Sequence, residues 1–258
     1  MEKILVVTAT LGNRESLKRT IQSVKDIGKG QVKHIIVAPN KVIPFLKAQY
    51  NGIDFLSEPE GKKGIYAAIN HGFKSYGKIY EYLTFINDDD YWLPNFRLLI
   101  DETNKHYDLI YGKIEYILSD KKQKIKQMAC SNQLKDFIPL LYSHIILFTQ
   151  QATLVKSDLY FQLGGFSEKY QLVSDTKFWA DLSLLNIKYK YVSQACAAYT
   201  IQQGQLSSNK FVQKQETDEL LSQLPKPTLL KKYWVMIKYR IINLPVYIRR
   251  MKLHEKDN

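Results

Sequence analysis

The sequence predicts an α/β protein built on a mostly parallel central sheet. The chain begins as strand, helix and strand, with apolar runs at 4–7 and 34–38 on either side of a helical pattern at 16–27. Such a βαβ unit forms parallel strands, because the helix carries the chain back to the edge where the first strand began. The 258 residues, 45 % hydrophobic and 24 % charged, are enough to bury a sizeable core and are typical of globular proteins.

The first unit also predicts where a ligand would lie. The strand 4–7 ends in a polar loop at 8–13, and the second strand ends at Pro39 and Asn40. Open parallel sheets bind ligands at the carboxyl ends of their strands, so these two loops are expected to share one crevice. The apolar residues of the intervening helix recur on one face, at Leu17, Ile21 and Val24.

The pattern continues along the chain. A helix is predicted at 65–76 and a third strand at 82–86, which runs directly into Asn87 and three aspartates. Pro94 suits the first turn of a helix that extends to about residue 105. The remaining expected elements are a β-like stretch at 109–112, a polar hairpin at 113–128, helices at 154–163 and 177–186, and a strand at 188–197.

The acidic triplet at 88–90 is the strongest chemical signal. Side chains alternate along a strand, so on a strand Asp88 and Asp90 are expected on one side and Asp89 on the other, whereas a turn at the strand end could bring two of the three onto one cation. Carboxylate oxygens suit Mg²⁺ or Mn²⁺, and a divalent ion would relieve the repulsion between like charges. The alternative is a loop that caps the helix near Pro94 by accepting backbone N–H bonds.

Several segments occur in a recognisable order over about residues 1–210. They are 6–14 and the following helix, 57–60 with 64–72, the acidic motif 85–92, Gln151-Ala152-Thr153, 163–166, Ser174-Asp175 and Phe178-Trp179. Together these segments resemble the family 2 glycosyltransferases of the GT-A fold, which are often found in bacterial polysaccharide assembly.

The resemblance implies an inverting transfer of a sugar from a nucleotide-diphosphate donor, with a UDP-sugar favoured by family frequency. Asp90, helped by Asp88, would hold the Mn²⁺ or Mg²⁺ that bridges the diphosphate, and Asp175 would be the general base. The alternative role of Asp175 is to cap the helix that contains Phe178 and Trp179, and Trp179 is expected in the core. The other donor-binding candidates are Thr8, Asn13, Arg14, Gly64, Tyr66 and Asn70, together with Asp88. The alternatives are that the polar loop residues Thr8, Asn13 and Arg14 cap the first helix and that Tyr66 is a core residue.

The net charge of +12 is concentrated near the C-terminal end. Residues 226–252 contain eight basic residues and no acidic ones. On a helical projection, basic residues oppose one broad apolar face, with Pro245 as a kink. This pattern favours a helix lying on an anionic membrane, and the alternative is a helix packed on the catalytic domain with a solvated basic face. The expected apolar face consists of Leu230, Tyr233, Met236, Ile237, Leu244, Tyr247, Ile248 and Met251.

We therefore expect a GT-A glycosyltransferase domain at 1–210 and a basic helical tail at 211–258. The acceptor would be a glycan or lipid-linked glycan, and no recognised nucleic-acid module accompanies the charge. No stretch approaches the about 20 apolar residues of a membrane span, and the N-terminus lacks a signal-peptide pattern, which predicts a cytoplasmic protein, peripheral on the inner face of the membrane. The alternatives are a sugar-phosphate nucleotidyltransferase and a non-catalytic membrane adaptor. Cys130 and Cys196 are expected to be ordinary core residues.

Overall fold

The computed structural model describes residues 2–118, 123–202, 205 and 209–254. Its strands form one nine-stranded sheet in the order β3-β2-β1-β4-β8-β6-β9-β5, with β7 paired to β6. The strands are β1 (Ile4–Ala9), β2 (Val32–Ala38), β3 (Asp54–Ser57), β4 (Tyr82–Phe85), β5 (Tyr91–Trp92), β6 (Leu109–Leu118), β7 (Gln123–Gln127), β8 (Thr153–Lys156) and β9 (Tyr189–Ile201). The helices are α1 (Leu17–Gly28), α2 (Ile43–Gln49), α3 (Ile65–Tyr76), α4 (Phe96–Glu102), α5 (Phe137–Leu141), α6 (Ser157–Gln162), α7 (Ser174–Ser183), α8 (Lys210–Gln223), α9 (Leu229–Ile242) and α10 (Leu244–His254).

The N-terminal half of the sheet is parallel, as predicted. β3, β2, β1 and β4 run side by side in one direction, and the four apolar residues 4–7 of β1 are fully buried. Helices cover both faces, which explains why these strands are continuously apolar rather than alternating. The close approach of α3 requires Gly72, since a Cβ there would lie 2.9 Å from Val7 Cγ1.

The C-terminal half is mixed. β8 is antiparallel to both β4 and β6, whereas β6 and β9 pair in parallel over ten residues with a shift in register. The predicted hairpin at 113–128 is confirmed by the antiparallel pairing of β6 with β7. The turn after β4 and the end of β9 approach one another, because β5 pairs with β9.

Three sequence predictions need correction. The segment 154–163 is not one helix, because Leu154 and Val155 are buried in β8 and the helix begins only at Ser157. The helix predicted at 177–186 is α7, which begins three residues earlier and ends at Ser183. The short elements β3, α2 and β5 were not predicted at all.

Packing crosses the predicted boundary at residue 210. Leu220 of α8, Leu224 just after it, and Val235 and Tyr239 of α9 belong to the same buried cluster as Leu5 of β1. The boundary therefore does not coincide with a gap in the core. Polar bonds also cross it, among them those from the Tyr142 hydroxyl to the Leu221 carbonyl (2.7 Å), from the Tyr239 hydroxyl to the Ala129 carbonyl (2.6 Å) and from the Cys130 N–H to Asn243 Oδ1 (3.1 Å).

The helix α9 packs on the protein by one side only. Val235 and Tyr239 are buried, and Lys238 lies 3.6 Å from Asp136. The helix is interrupted between α9 and α10 at Asn243, two residues before the predicted kink at Pro245. Among the described residues, no helix combines the length and apolarity that crossing a bilayer requires. Cys130 and Cys196 are unpaired and buried, as predicted.

Candidate active site

The three aspartates lie in a turn, not on a strand. β4 ends at Phe85, and the N–H of Asp90 donates to the carbonyl of Asn87 at 3.2 Å. The alternation of side chains that applies to a strand therefore does not apply here. The prediction that Asp88 and Asp90 face the same side fails for this reason.

Asp88 and Asp89 both face Arg14. The Arg14 Nη1 lies 3.4 Å from Asp88 Oδ1 and also contacts Asp89 Oδ2. Asp88 additionally accepts a hydrogen bond from the Thr10 hydroxyl at 2.7 Å. Burial raises the pKa of Asp88, while the bond from Thr10 and the charge of Arg14 oppose that rise. A positive charge thus already sits between two carboxylates at the end of β4.

Asp89 is also contacted from the segment after β9. The side-chain amides of Gln202 and Gln205 donate to Asp89 Oδ2 at 2.9 and 3.0 Å. Arg19 donates to the Asp89 carbonyl at 3.3 Å and lies over the ring of Tyr91, 4.2 Å from its centroid. Thr10 and Asp89 were both missed as site residues, although each stands beside a predicted one in the chain.

Asp90 points into the protein interior. It is fully buried, and both of its oxygens accept hydrogen bonds. Thr200 donates its N–H to Oδ1 at 2.8 Å, while Gln151 and Asn87 donate side-chain amides to Oδ2 at 2.8 and 3.2 Å. Burial, and after it the negative charge of Asp89, raises the pKa of Asp90. This carboxylate joins the turn to β9 and to the segment before β8.

Asp175 lies in the first turn of α7 with one oxygen engaged. Its Oδ1 accepts the Tyr66 hydroxyl at 3.0 Å and the Thr176 N–H at 2.7 Å. Among the described residues, the side-chain and backbone partners of this carboxylate, Tyr66 and Thr176, bond to Oδ1. Burial raises the pKa of Asp175, and these hydrogen bonds partly oppose the rise. A half-buried carboxylate with a raised pKa is suited to accepting a proton.

Tyr66 lies between the end of β4 and Asp175. Its ring contacts the ring of Phe85, the last residue of β4, with centroids 6.5 Å apart, while its hydroxyl bonds Asp175. Burial, followed by the charge of Asp175, raises the pKa of Tyr66 well above its usual range. The phenol therefore stays protonated and remains a donor to the carboxylate.

Asn70 holds a loop. Its side-chain amide donates to the Phe166 carbonyl at 2.8 Å, and its Oδ1 accepts the Phe166 N–H at 3.0 Å and the Tyr160 hydroxyl. Its polar atoms are thus used in fixing the turn that follows Gly165. Trp179 is buried among Phe148, Phe166 and Phe178, which confirms its predicted place in the core.

The other three donor-binding candidates are scattered. Thr8 is fully buried on β1, where its hydroxyl is 3.0 Å from His34 Nε2. Asn13 is exposed and lines, with Arg14, a surface groove of about 1130 Å³ along α1. Gly64 is exposed at the start of α3 with a φ of 102°, which favours glycine. The structure thus brings Arg14 to Asp88 and Tyr66 to Asp175, but places Thr8 and Asn70 in structural contacts.

The comparisons with known proteins agree with this architecture. Residues 5–165 match the sequence pattern described as "Glycosyl transferase family 2". No curated protein matches the chain. Among solved structures, S. aureus TarS in complex with UDP-GlcNAc aligns with a TM-score of 0.63 at 15 % identity, covering 90 % of this chain and 69 % of that one. The mannosyltransferase PcManGT from Pyrobaculum calidifontis, in complex with GDP-Man and Mn²⁺, aligns with a TM-score of 0.61 at 10 % identity, covering 99 % and 76 %. The likeness to these two structures establishes the GT-A fold, and the match over more than half of its length shows that the chain belongs to glycosyl transferase family 2.

Proposed function

We propose that this glycosyltransferase inverts the anomeric centre as it moves a sugar from a nucleotide-diphosphate sugar to a hydroxyl of a glycan or lipid-linked glycan. The observation that carries the proposal is the half-buried carboxylate of Asp175, whose described hydrogen bonds from Tyr66 and Thr176 fall on Oδ1. The TarS complex holds UDP-GlcNAc and the PcManGT complex holds GDP-Man, and we propose a UDP-sugar as the donor here. Nucleotidyl transfer to a sugar phosphate is a different reaction, which family membership disfavours, as it does a non-catalytic adaptor.

In the proposed reaction, the acceptor hydroxyl gives its proton to Asp175 Oδ2 as its oxygen forms a bond to the anomeric carbon. The bond from that carbon to the diphosphate breaks, and its electron pair leaves with the nucleoside diphosphate. Attack from the opposite face inverts the centre in one displacement, so a single base suffices. Tyr66 and Thr176 hold Oδ1 and thereby orient Oδ2 toward the acceptor.

We propose Asp88 and Asp89, rather than Asp90 and Asp88, as the residues that would hold a divalent ion. The donor set fits, because oxygens of both carboxylates already converge on one cationic nitrogen of Arg14. Asp90, in contrast, uses both oxygens for internal donors. Within the described residues, no cluster of three or more acidic, His or Cys side chains is arranged to hold a metal. Mn²⁺ or Mg²⁺ commonly binds one or two carboxylates together with substrate phosphates, and the ion would neutralise charge on the leaving diphosphate.

The base is tested by Asp175→Asn in a transfer assay with a panel of nucleotide sugars and Mn²⁺. We expect turnover to fall at least about 100-fold, while the donor KM changes little, because only proton transfer is lost. In the wild type, turnover should fall as the pH drops through the raised pKa of Asp175, since the protonated carboxyl cannot accept a proton. Turnover retained in Asp175→Asn, or a parallel loss of donor affinity, would contradict the role.

We also propose that α9 and α10 rest on an anionic membrane on the inner side of the cell. The two interpretations of this segment are compatible, because the helix packs on the protein by one side and leaves a second, apolar side exposed. Met236 is half-buried toward the protein, whereas Trp234 and Ile241, absent from the predicted face, are 67 % and 68 % exposed. We call the exposed set the apolar face of α9; it consists of Leu230, Tyr233, Trp234, Ile237 and Ile241, continued in α10 by Leu244 and Ile248.

The charges around this face support a lipid surface as the partner. On the helical projection, Arg240 flanks the apolar face on one side and Lys231 and Lys238 flank it on the other. Basic residues beside exposed aromatic and aliphatic ones are typical of helices that lie in the plane of an anionic bilayer. Tryptophan is favoured at such an interface, because its ring is apolar and its N–H can stay hydrated.

A further inference from the structure

The loop that precedes Asp175 is held by a single carboxylate from α8. Glu216 accepts the backbone N–H of Gln171 on Oε1 at 2.7 Å. Its other oxygen, Oε2, accepts the N–H groups of Leu172 and Val173 at 2.8 and 3.2 Å. These three peptide groups end directly before α7, which begins at Ser174 and carries Asp175 in its first turn.

Three consecutive N–H groups on one carboxylate form a strong and geometrically demanding contact. Hydrogen bonds to an ionised acceptor are about twice as strong as neutral ones, and the negative charge also lies favourably at the N-terminal end of α7. Because peptide planes are rigid, fixing residues 171–173 fixes the direction in which the chain enters α7. The position of Asp175 therefore depends on Glu216.

The same loop is held from its other side by Tyr66. The Tyr66 hydroxyl lies 3.3 Å from the Leu172 carbonyl as well as 3.0 Å from Asp175 Oδ1. Glu216 thus accepts the N–H groups of residues 171–173, and the Leu172 carbonyl of the same segment accepts the Tyr66 hydroxyl, which also bonds Asp175. Neighbouring side chains of α8 add to the docking, as Glu219 pairs with Lys169 and Gln223 bonds the Tyr170 hydroxyl at 3.1 Å.

We propose that Glu216 is a positioning residue for the general base. The inference rests on the proposed role of Asp175. It places a residue of α8, 51 positions beyond the end of the matched segment 5–165, in the machinery of transfer. Glu216 acts by holding residues 171–173 so that Oδ2 of Asp175 meets the acceptor hydroxyl.

The test compares Glu216→Ala and Glu216→Gln with the wild-type protein in the full chain. We expect Glu216→Ala to lower turnover about 10- to 100-fold, the cost of misplacing a catalytic group by about 1 Å, with the donor KM nearly unchanged. The turnover of Glu216→Gln should lie between those of Glu216→Ala and the wild type, because the amide oxygen can still accept an N–H but the amide nitrogen cannot. The acidic limb of the pH profile of turnover should move in both variants. Asp218→Ala, an exposed carboxylate two residues further along α8, is the matched control and should behave as the wild type.

A double variant separates positioning of the base from general damage to the fold. In the Asp175→Asn background, Glu216→Gln should reduce turnover by less than about 3-fold, because a base that is absent cannot be misplaced. The inference would be overturned if Glu216→Gln lowered turnover by the same factor in the Asp175→Asn background as in the wild type. It would also be overturned if Glu216→Gln alone kept wild-type turnover and the wild-type pH profile. If Asp175→Asn itself keeps its activity, the proposed base is wrong, and that result is obtained without any change at Glu216. Glu216→Gln keeps the test valid should Glu216→Ala fail to fold.

Discussion

At the scale of single residues, Asp88, Asp89 and Asp90 are neighbours in the chain, yet their surroundings differ. Two of them share the charge of Arg14, and the third is enclosed by neutral donors. Asp89→Asn should weaken Mn²⁺ binding, measured by calorimetry in the presence of UDP, by about 10-fold or more. Asp90→Asn should instead lower the free energy of unfolding by about 1–3 kcal/mol, because its amide N–H₂ would face other donors.

Urea unfolding of both variants provides the control for this comparison. Asp89→Asn is expected to unfold near the wild-type midpoint, whereas Asp90→Asn unfolds earlier and keeps its Mn²⁺ affinity. The reverse pattern, in which Asp90→Asn abolishes metal binding and Asp89→Asn does not, would restore the assignment that the sequence favours.

Residue roles could be predicted only where a motif carries them. The position of Asp175 beside the start of a helix and the presence of Asp88 at the end of a strand both follow from the sequence. Which of Asp89 and Asp90 turns inward does not, because it depends on a turn whose partners, Gln151 and Thr200, are distant in the chain. The role of Glu216 could not be predicted from the sequence either, because its partners are backbone N–H groups, which every residue except proline has.

At the scale of elements, α9 packs on the protein by its buried residues, and we propose that its exposed apolar face contacts the membrane. We expect the double variant Trp234→Ser/Ile237→Ser to bind vesicles of phosphatidylcholine and phosphatidylglycerol at least about 10-fold more weakly than the wild type. Each large apolar side chain contributes about 1.5–3 kcal/mol when it is withdrawn from water. Cosedimentation measures the binding.

Ile79→Ser is the matched control, because Ile79 is 79 % exposed but lies outside α9 and α10. Binding of the wild type should also weaken in high salt and on vesicles of phosphatidylcholine alone, since the basic residues then lose their anionic partners. Wild-type binding by the double variant would exclude the apolar face as the docking surface.

Elements with a clear period were predicted well, and those without one were not. α1 and α3 have apolar residues at helical spacing, and both were found. β8 was mistaken for part of a helix because a short apolar run fits either class, and only its pairing with β4 and β6 decides. α8 was predicted only as part of the helical tail at 211–258, and its docking to the loop before α7 was not, because the docking face is polar, formed by Glu216, Glu219 and Gln223 around the buried Leu220.

At the scale of the whole molecule, the tail is part of the folded unit. Removing the residues after Pro227 should lower the melting temperature by several degrees, about 4 °C or more, because Val235, Tyr239 and Asn243 leave buried partners behind. Differential scanning calorimetry of the truncated and full chains measures this. An unchanged melting temperature would show that α9 adds nothing to the core, in agreement with a boundary at 210.

The hydrogen bonds that Glu216 accepts from three peptide N–H groups have a consequence for how the sequence of this loop can vary. The bonds it makes do not depend on the side chains of residues 171–173, and among these Gln171 is exposed whereas Val173 is buried in the core. The side chain at position 171 can therefore vary while the loop and the base keep their places. Distant relatives that hold this loop in the same way would then share a carboxylate that accepts three consecutive peptide N–H groups, without sharing a sequence motif there.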